Sequence, residues 1–134
     1  MGGLIVEGCG GNGRMITADY LRWRPEFAKV LDPARYTIQW LDGRIEDGEA
    51  IFACCGDAAI VVEFREYPTG AKDLHGLIAA GRLESIVGVL IPQAEMFGKA
   101  NGCLAAVIES RPAWMKALVE YGYELHQACI RKVL

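Results

Sequence analysis

Glu63 and His75 are side chains of the types that give and take protons. Both fall within apolar, strand-like stretches. Each also has an ordinary reading, Glu63 as the outward polar position of an alternating strand and His75 as a surface or hydrogen-bonded histidine. Glu109, Arg111 and Trp114 form a second group. Arg111 either pairs with Glu109 or grips an anionic ligand with both arms of its guanidinium. Trp114, three residues on, stands one helical turn away and offers a flat apolar wall or a pin for its helix. We expect Trp114 to pin the helix and Arg111 to face a cleft. His126 reads as a surface residue. No pairing of His75, His126 and the cysteines has metal-ligand spacing, so no metal is expected.

Two other patterns invite chemistry and are set aside. Gly8-Cys9-Gly10-Gly11-Asn12-Gly13 satisfies G-x-G-x-x-G after the apolar Leu4-Ile5-Val6. A dinucleotide loop, however, needs an acid ending a second parallel strand. The residue at the right distance, Asp32, precedes Pro33 at a helix end instead. Glycine density explains the match, since six of the first 13 residues are glycine. The five cysteines, Cys9, Cys54, Cys55, Cys103 and Cys129, include no C-x-x-C pair and read as reduced thiols, mostly small core residues.

The elements that must position these groups follow from periodicity. Leu4–Glu7 suits a short strand. Met15–Leu31 has partial helical spacing interrupted at Pro25, and Thr37–Asp47 is a second helix with Thr37 as N-cap and Gly48 as stop. Ala50–Cys55, Ala58–Tyr67 and Lys72–Ala80, joined by Gly56-Asp57 and Thr69-Gly70, form an antiparallel meander. In Leu83–Asn101, residues Leu83, Ile86, Val87, Leu90, Ala94 and Phe97 recur at helical spacing, with Pro92 as an expected kink and Gly102 as the stop. Cys103–Glu109 is apolar on both faces, which suits a strand paired in parallel with Lys72–Ala80. A helix over Pro112–Tyr121 and a last strand over Tyr123–Leu134 complete an α+β sandwich. The long helix and the following one are expected on opposite faces of a mixed sheet.

At 134 residues the chain suits one domain, 1–134, large enough to bury a core unaided. Apolar residues make up 52% and charged residues 23%, and mean hydropathy is +0.18, which excludes a disordered chain. The apolar runs, Ala58–Val62 and Ile86–Ile91 among them, fall far short of the roughly 20 residues of a membrane span. A net charge of −3 gives no global field toward nucleic acid or an anionic membrane. The start, Met1-Gly2-Gly3-Leu4, lacks a basic segment, so a secretory signal is not expected and a cytoplasmic setting is.

The strand–helix–strand–helix–strand pattern from Lys72 to Leu134 resembles the GNAT N-acetyltransferase superfamily. In that superfamily a Q/R-x-x-G-x-G/A loop opens the long helix and presents backbone N–H groups to the diphosphate of coenzyme A. The corresponding stretch here is Arg82-Leu83-Glu84-Ser85-Ile86-Val87, with Arg82 matching and Ser85 and Val87 in place of both glycines. The second signature, N-x-x-A-x-x-x-Y-x-x-x-G-F, falls on Arg111, Trp114, Leu118, Gly122 and Tyr123. Leu118 thus replaces the tyrosine that serves the family as general acid. Ile108-Glu109-Ser110-Arg111-Pro112-Ala113-Trp114 resembles a stretch of short phage and prophage GNAT-like proteins. The resemblance implies a GNAT-like fold and an acetyl-CoA or other acyl-CoA donor bound at 82–87. It further implies direct acyl transfer to a small-molecule or protein amine, with Glu63 or His75 as base. The lost loop glycines and tyrosine imply a second reading. In it, a non-catalytic phage protein uses the fold as a binding or self-association module, in the host cytoplasm or the virion.

Overall fold

The computed structural model describes residues 16–110 and 113–134. The strand expected at Leu4–Glu7, the glycine-rich run and Arg111 lie outside the described residues. Two helices come first, α1 (Ala18–Val30) and α2 (Ile38–Glu46). Each is capped by a threonine: Thr17 accepts from the Tyr20 N–H at 3.2 Å, and Thr37 from the Trp40 N–H at 3.1 Å. The expected interruption at Pro25 does not occur, and α1 runs through it. A proline inside a helix costs about 3 kcal/mol. Burying Tyr20 and Phe27, both fully covered on one helix face, returns about 1.5–3 kcal/mol for each such side chain.

Three strands follow as expected: β1 (Ile51–Cys55), β2 (Ala58–Glu66) and β3 (Lys72–Gly81). Cys55 opposite Ala58 closes a two-residue hairpin at Gly56-Asp57. The next 18 residues are helical but not uniformly so. A short α3 (Leu83–Ser85) passes into a π-helical turn, Ile86–Leu90, and then into α4 (Ile91–Ala100). The expected kink at Pro92 becomes this wider turn. The Ile91 N–H reaches the Ile86 carbonyl, and Pro92 falls in the first turn of α4, where a missing N–H costs little.

β4 (Ala105–Ile108) pairs in parallel with β3 from Asp73 opposite Ala105 to Gly76 opposite Ile108. The four-stranded sheet has the order β1-β2-β3-β4, antiparallel except for its last pair. The chain continues through α5 (Ala113–Leu118) and a 3₁₀ turn, Val119–Tyr121, which Gly122 ends with φ +90°.

Each face of the sheet has its own core. Tyr20, Phe27, Leu41 and Ile45 of α1 and α2 pack on Phe52, Cys54 and Val61. On the other face, Ile86, Val87, Leu90, Ile91 and Leu118 pack on Ile60, Val62 and Leu74. This corrects one expectation: α4 and α5 share a face, because the aromatic cluster under α1 and α2 already fills the other. The last strand also fails to form. Residues 124–134 are exposed and belong to no helix or strand. Their apolar members Leu125 and Ile130 are an odd number of residues apart, so a strand could not bury both on one face. Cys54 is disulfide-bonded, against the expected thiol, while Cys55, Cys103 and Cys129 are free.

Candidate functional site

β3 and β4 part company at a defined residue. Their ladder ends at Gly76 and Ile108, while β3 continues to Gly81. At that point β3 carries one extra residue. Val62 faces Gly76 but Val61 faces Ile78, which leaves Leu77 unpaired as a bulge. A bulge bends its strand and increases local twist, and here it turns β3 away from β4. Sequence reasoning missed it, because Leu74, Leu77 and Ile78 read as plain strand.

A cavity opens on each face of the resulting gap. The first, of about 410 Å³, lies mainly on the α4 and α5 side and reaches through the gap to Val30 of α1, with mainly apolar walls that include Ile86, Ile91, Ile108, Trp114 and Tyr123. The second, of about 560 Å³, lies on the α1 and α2 side, among Tyr36, Trp40, Arg44, Glu63 and Arg65. Gly76, Leu77, Ile78 and Glu109 line both.

Glu63 and His75 sit side by side, opposite one another across β2 and β3. Glu63 is a buried carboxylate held by two guanidiniums, Arg44 from α2 and Arg65 at 2.9 Å. Both of its oxygens are committed. His75, 4% exposed, meets the Tyr67 hydroxyl at Nε2 (3.3 Å) and lies 4.0 Å from Glu109 Oε1 at Nδ1. Burial, and then the charge of Arg65, hold it below the ordinary histidine range, so it stands neutral at pH 7. Glu63 lines the second cavity, whereas His75 lines neither.

The stretch from Arg82 to Val87 divides in two. The side chains of Ile86 and Val87 are buried in the core, and Ile86 also lines the first cavity. Arg82, Leu83 and Glu84 form the exposed start of the helix, with Ser85 half-buried behind them. The N–H groups of Ser85 and Ile86 both return to the Arg82 carbonyl, at 3.1 and 3.0 Å. Two carboxylates gather here. Glu84 is held below the usual range by its own backbone N–H and by Arg82, with which it pairs at 3.2 Å. Asp57 is lowered by the Ser85 hydroxyl. The glycine that matters is Gly81, one residue before this stretch. Its φ is +102°, and a Cβ there would stand 2.6 Å from Ala58 Cα.

Trp114 packs on the core and lines the first cavity at once. Leu118, in the family's tyrosine position, is buried in the core. A phenol does face the cleft, from Tyr123, whose hydroxyl donates to Glu95 at 2.6 Å. Burial and that carboxylate push the phenol above its ordinary value. The signal in the sequence was the aromatic after Gly122. Trp40 is 36% exposed and lies tilted against Tyr36, ring centres 4.8 Å apart, in the wall of the second cavity.

The first cavity, with its mainly apolar lining, could hold an apolar ligand segment. The helix start suits a diphosphate less well, since Asp57 and Glu84 stand among its donors. Among the described residues no cluster of His, Cys, Asp and Glu could hold a metal ion. No helix among them is long and apolar enough to cross a membrane.

No family model matches the sequence, and no curated protein does either. Solved structures do match. A glucosamine-6-phosphate N-acetyltransferase from Arabidopsis thaliana shares 11% identity over 90% of this chain and 95% of its own, with a TM-score of 0.65. A Trypanosoma brucei acetyltransferase shares 12% over 83% and 89%, with a TM-score of 0.63. A transcriptional regulator from Bacillus halodurans shares 18% over 90% and 97%, with a TM-score of 0.66. With its mixed sheet covered by helices on both faces, the chain has the GNAT acyl-CoA N-acyltransferase fold.

Proposed function

We propose that the protein is an N-acyltransferase that moves an acyl group from an acyl-CoA thioester, such as acetyl-CoA, directly to an amine. The observation that carries this reading is the gap between β3 and β4, with a cavity on each face and Glu109 at the junction. Such a passage lets two ligands meet from opposite sides without a covalent enzyme intermediate.

Bound in the first cavity, an acyl-CoA would supply an activated acyl carbon. Ile86, Ile91 and Trp114 would hold its arm in an apolar slot. Arg82, exposed at the helix start, is the cation available to the diphosphate. Tyr123 Oη holds a proton inside the slot, donated to Glu95, and would turn it from that carboxylate to protonate a leaving group. On the opposite face Trp40 and Tyr36 wall the amine side. Glu63, clamped by Arg44 and Arg65, is a structural anchor for that wall in this reading and a poorer base than its position suggested.

Titration calorimetry with acetyl-CoA, followed by thiol release in the presence of primary amines, tests the reading. Binding in the micromolar to millimolar range is expected. No heat and no thermal shift at millimolar acetyl-CoA would sink it. Tyr123→Phe should cut turnover about 100-fold, within the range typical of a lost proton donor.

A second reading rests on Asp57 and Glu84 at the helix start and on the burial of Leu118. It takes the protein as a non-catalytic binding or assembly module. The stretch Ile108–Trp114 would then signal a phage setting. Under it, coenzyme A fails to bind while sizing or crosslinking finds a specific protein complex.

A further inference from the structure

The second cavity also carries information about the amine it would take. This inference rests on the acyltransfer reading and narrows its acceptor. Three observations bear on it. Its outer wall is aromatic and aliphatic: Tyr36 is 45% exposed and Trp40 36%, with Leu31 and Leu41 beside them. Its two guanidiniums, Arg44 and Arg65, already share the Glu63 carboxylate, which offsets part of their charge. A carboxylate or phosphate on the acceptor would compete with that buried anion for them. The third is Glu109. Its side chain is 67% exposed and makes a loose ion pair with Arg65 at 3.7 Å, with a neutral His75 at 4.0 Å. It is the carboxylate that lines both cavities, immediately past the end of β4.

We infer that the acceptor is a primary amine with a single positive charge and an apolar aryl or alkyl body. Its ammonium pairs with Glu109 at the gap, and its body lies against Trp40 and Tyr36. Glu109 then also receives the proton that the ammonium must lose before its nitrogen can attack, and solvent exposure lets that proton leave. The reading assigns to Glu109 the role that the sequence pattern gave to Glu63 or His75.

The test compares 2-phenylethylamine with 2-phenylethanol, a neutral probe of similar shape, by titration calorimetry with and without excess coenzyme A. Wild-type protein should prefer the amine about tenfold, as expected for one hydrogen-bonded ion pair. Glu109→Gln should abolish that preference while still binding the alcohol. Trp40→Ala should weaken both ligands alike. Phosphoethanolamine, an amine with an anionic body, should bind more weakly than 2-phenylethylamine. The inference is overturned if the preference survives in Glu109→Gln, if phosphoethanolamine binds more tightly, or if wild-type protein binds no amine in either condition. Acetyl-CoA titration of the same preparation separates these failures from failure of the acyltransfer reading, which it tests alone.

Discussion

His75 is a titratable group held neutral inside the protein, and its effect on stability has a definite sign. Its folded pKa lies below the ordinary 6.5, owing to burial first and Arg65 second. The unfolded chain therefore binds the proton more readily. Stability is fully present above about pH 6.5 and falls as acid takes the pH down toward the lowered folded value. His75→Gln should flatten the melting-temperature profile as the pH falls below about 6.5. An unchanged slope there would show that His75 does not set it. At this scale the sequence was half legible. Glu63 and His75 were found because a charge and an imidazole stand out in apolar strands. The arginines that neutralise Glu63 were not, because Arg44 sits on a separate helix 19 residues away. Tyr123 was passed over for a related reason, since the phenol in the cleft comes from beyond the 3₁₀ turn and not from the helix position at Leu118.

The elements themselves follow from period and punctuation. The Thr37 cap, the meander and its hairpin turn, and the parallel pairing of β3 with β4 were readable in this way, while the Thr17 cap was not read. What stayed hidden depends on tertiary balance, as with the helix that runs through Pro25 and the π turn that absorbs Pro92. Two predictions belong here. Gly81→Ala forces a side chain onto a positive φ and against the 57–58 backbone. It should cost about 2–4 kcal/mol in denaturant unfolding. A loss below about 1 kcal/mol would mean that the β3 end relaxes freely. The second prediction concerns α1 and α2, which are tied by Asp42. It accepts from Tyr20 Oη at 2.7 Å and from both Arg24 Nε and Nη2. Asp42→Ala should cost about 1–3 kcal/mol, since it strands a buried hydroxyl. An Arg24→Ala, Asp42→Ala double-mutant cycle should return a coupling above about 0.5 kcal/mol.

At the scale of the molecule, the two cores are unequal in how they close. Residues 124–134 lie exposed beside a sheet whose last strand has only four residues. Removing residues 125–134 should therefore shift the melting temperature by no more than about 2 °C, as surface changes usually do. A larger drop would show that this segment completes the sheet. The overall architecture was legible because alternating strand and helix signals admit few arrangements. The side on which α5 packs was not, because that depends on which face is already full. The bulge at Leu77 has one more consequence, and it concerns counting. A strand presents residues to its two faces by parity, and the extra residue resets that parity halfway along β3. Leu74 and Ala79 end up on the α4 side, His75 and Ala80 on the α1 side. Deleting Leu77 would give every remaining residue a chemically familiar environment while restoring an unbroken ladder along β2. The gap would then lose the bend that opens it. The passage through this protein is thus written in the number of residues in β3 as much as in their identity, and a one-residue deletion there would be a graver change than most substitutions.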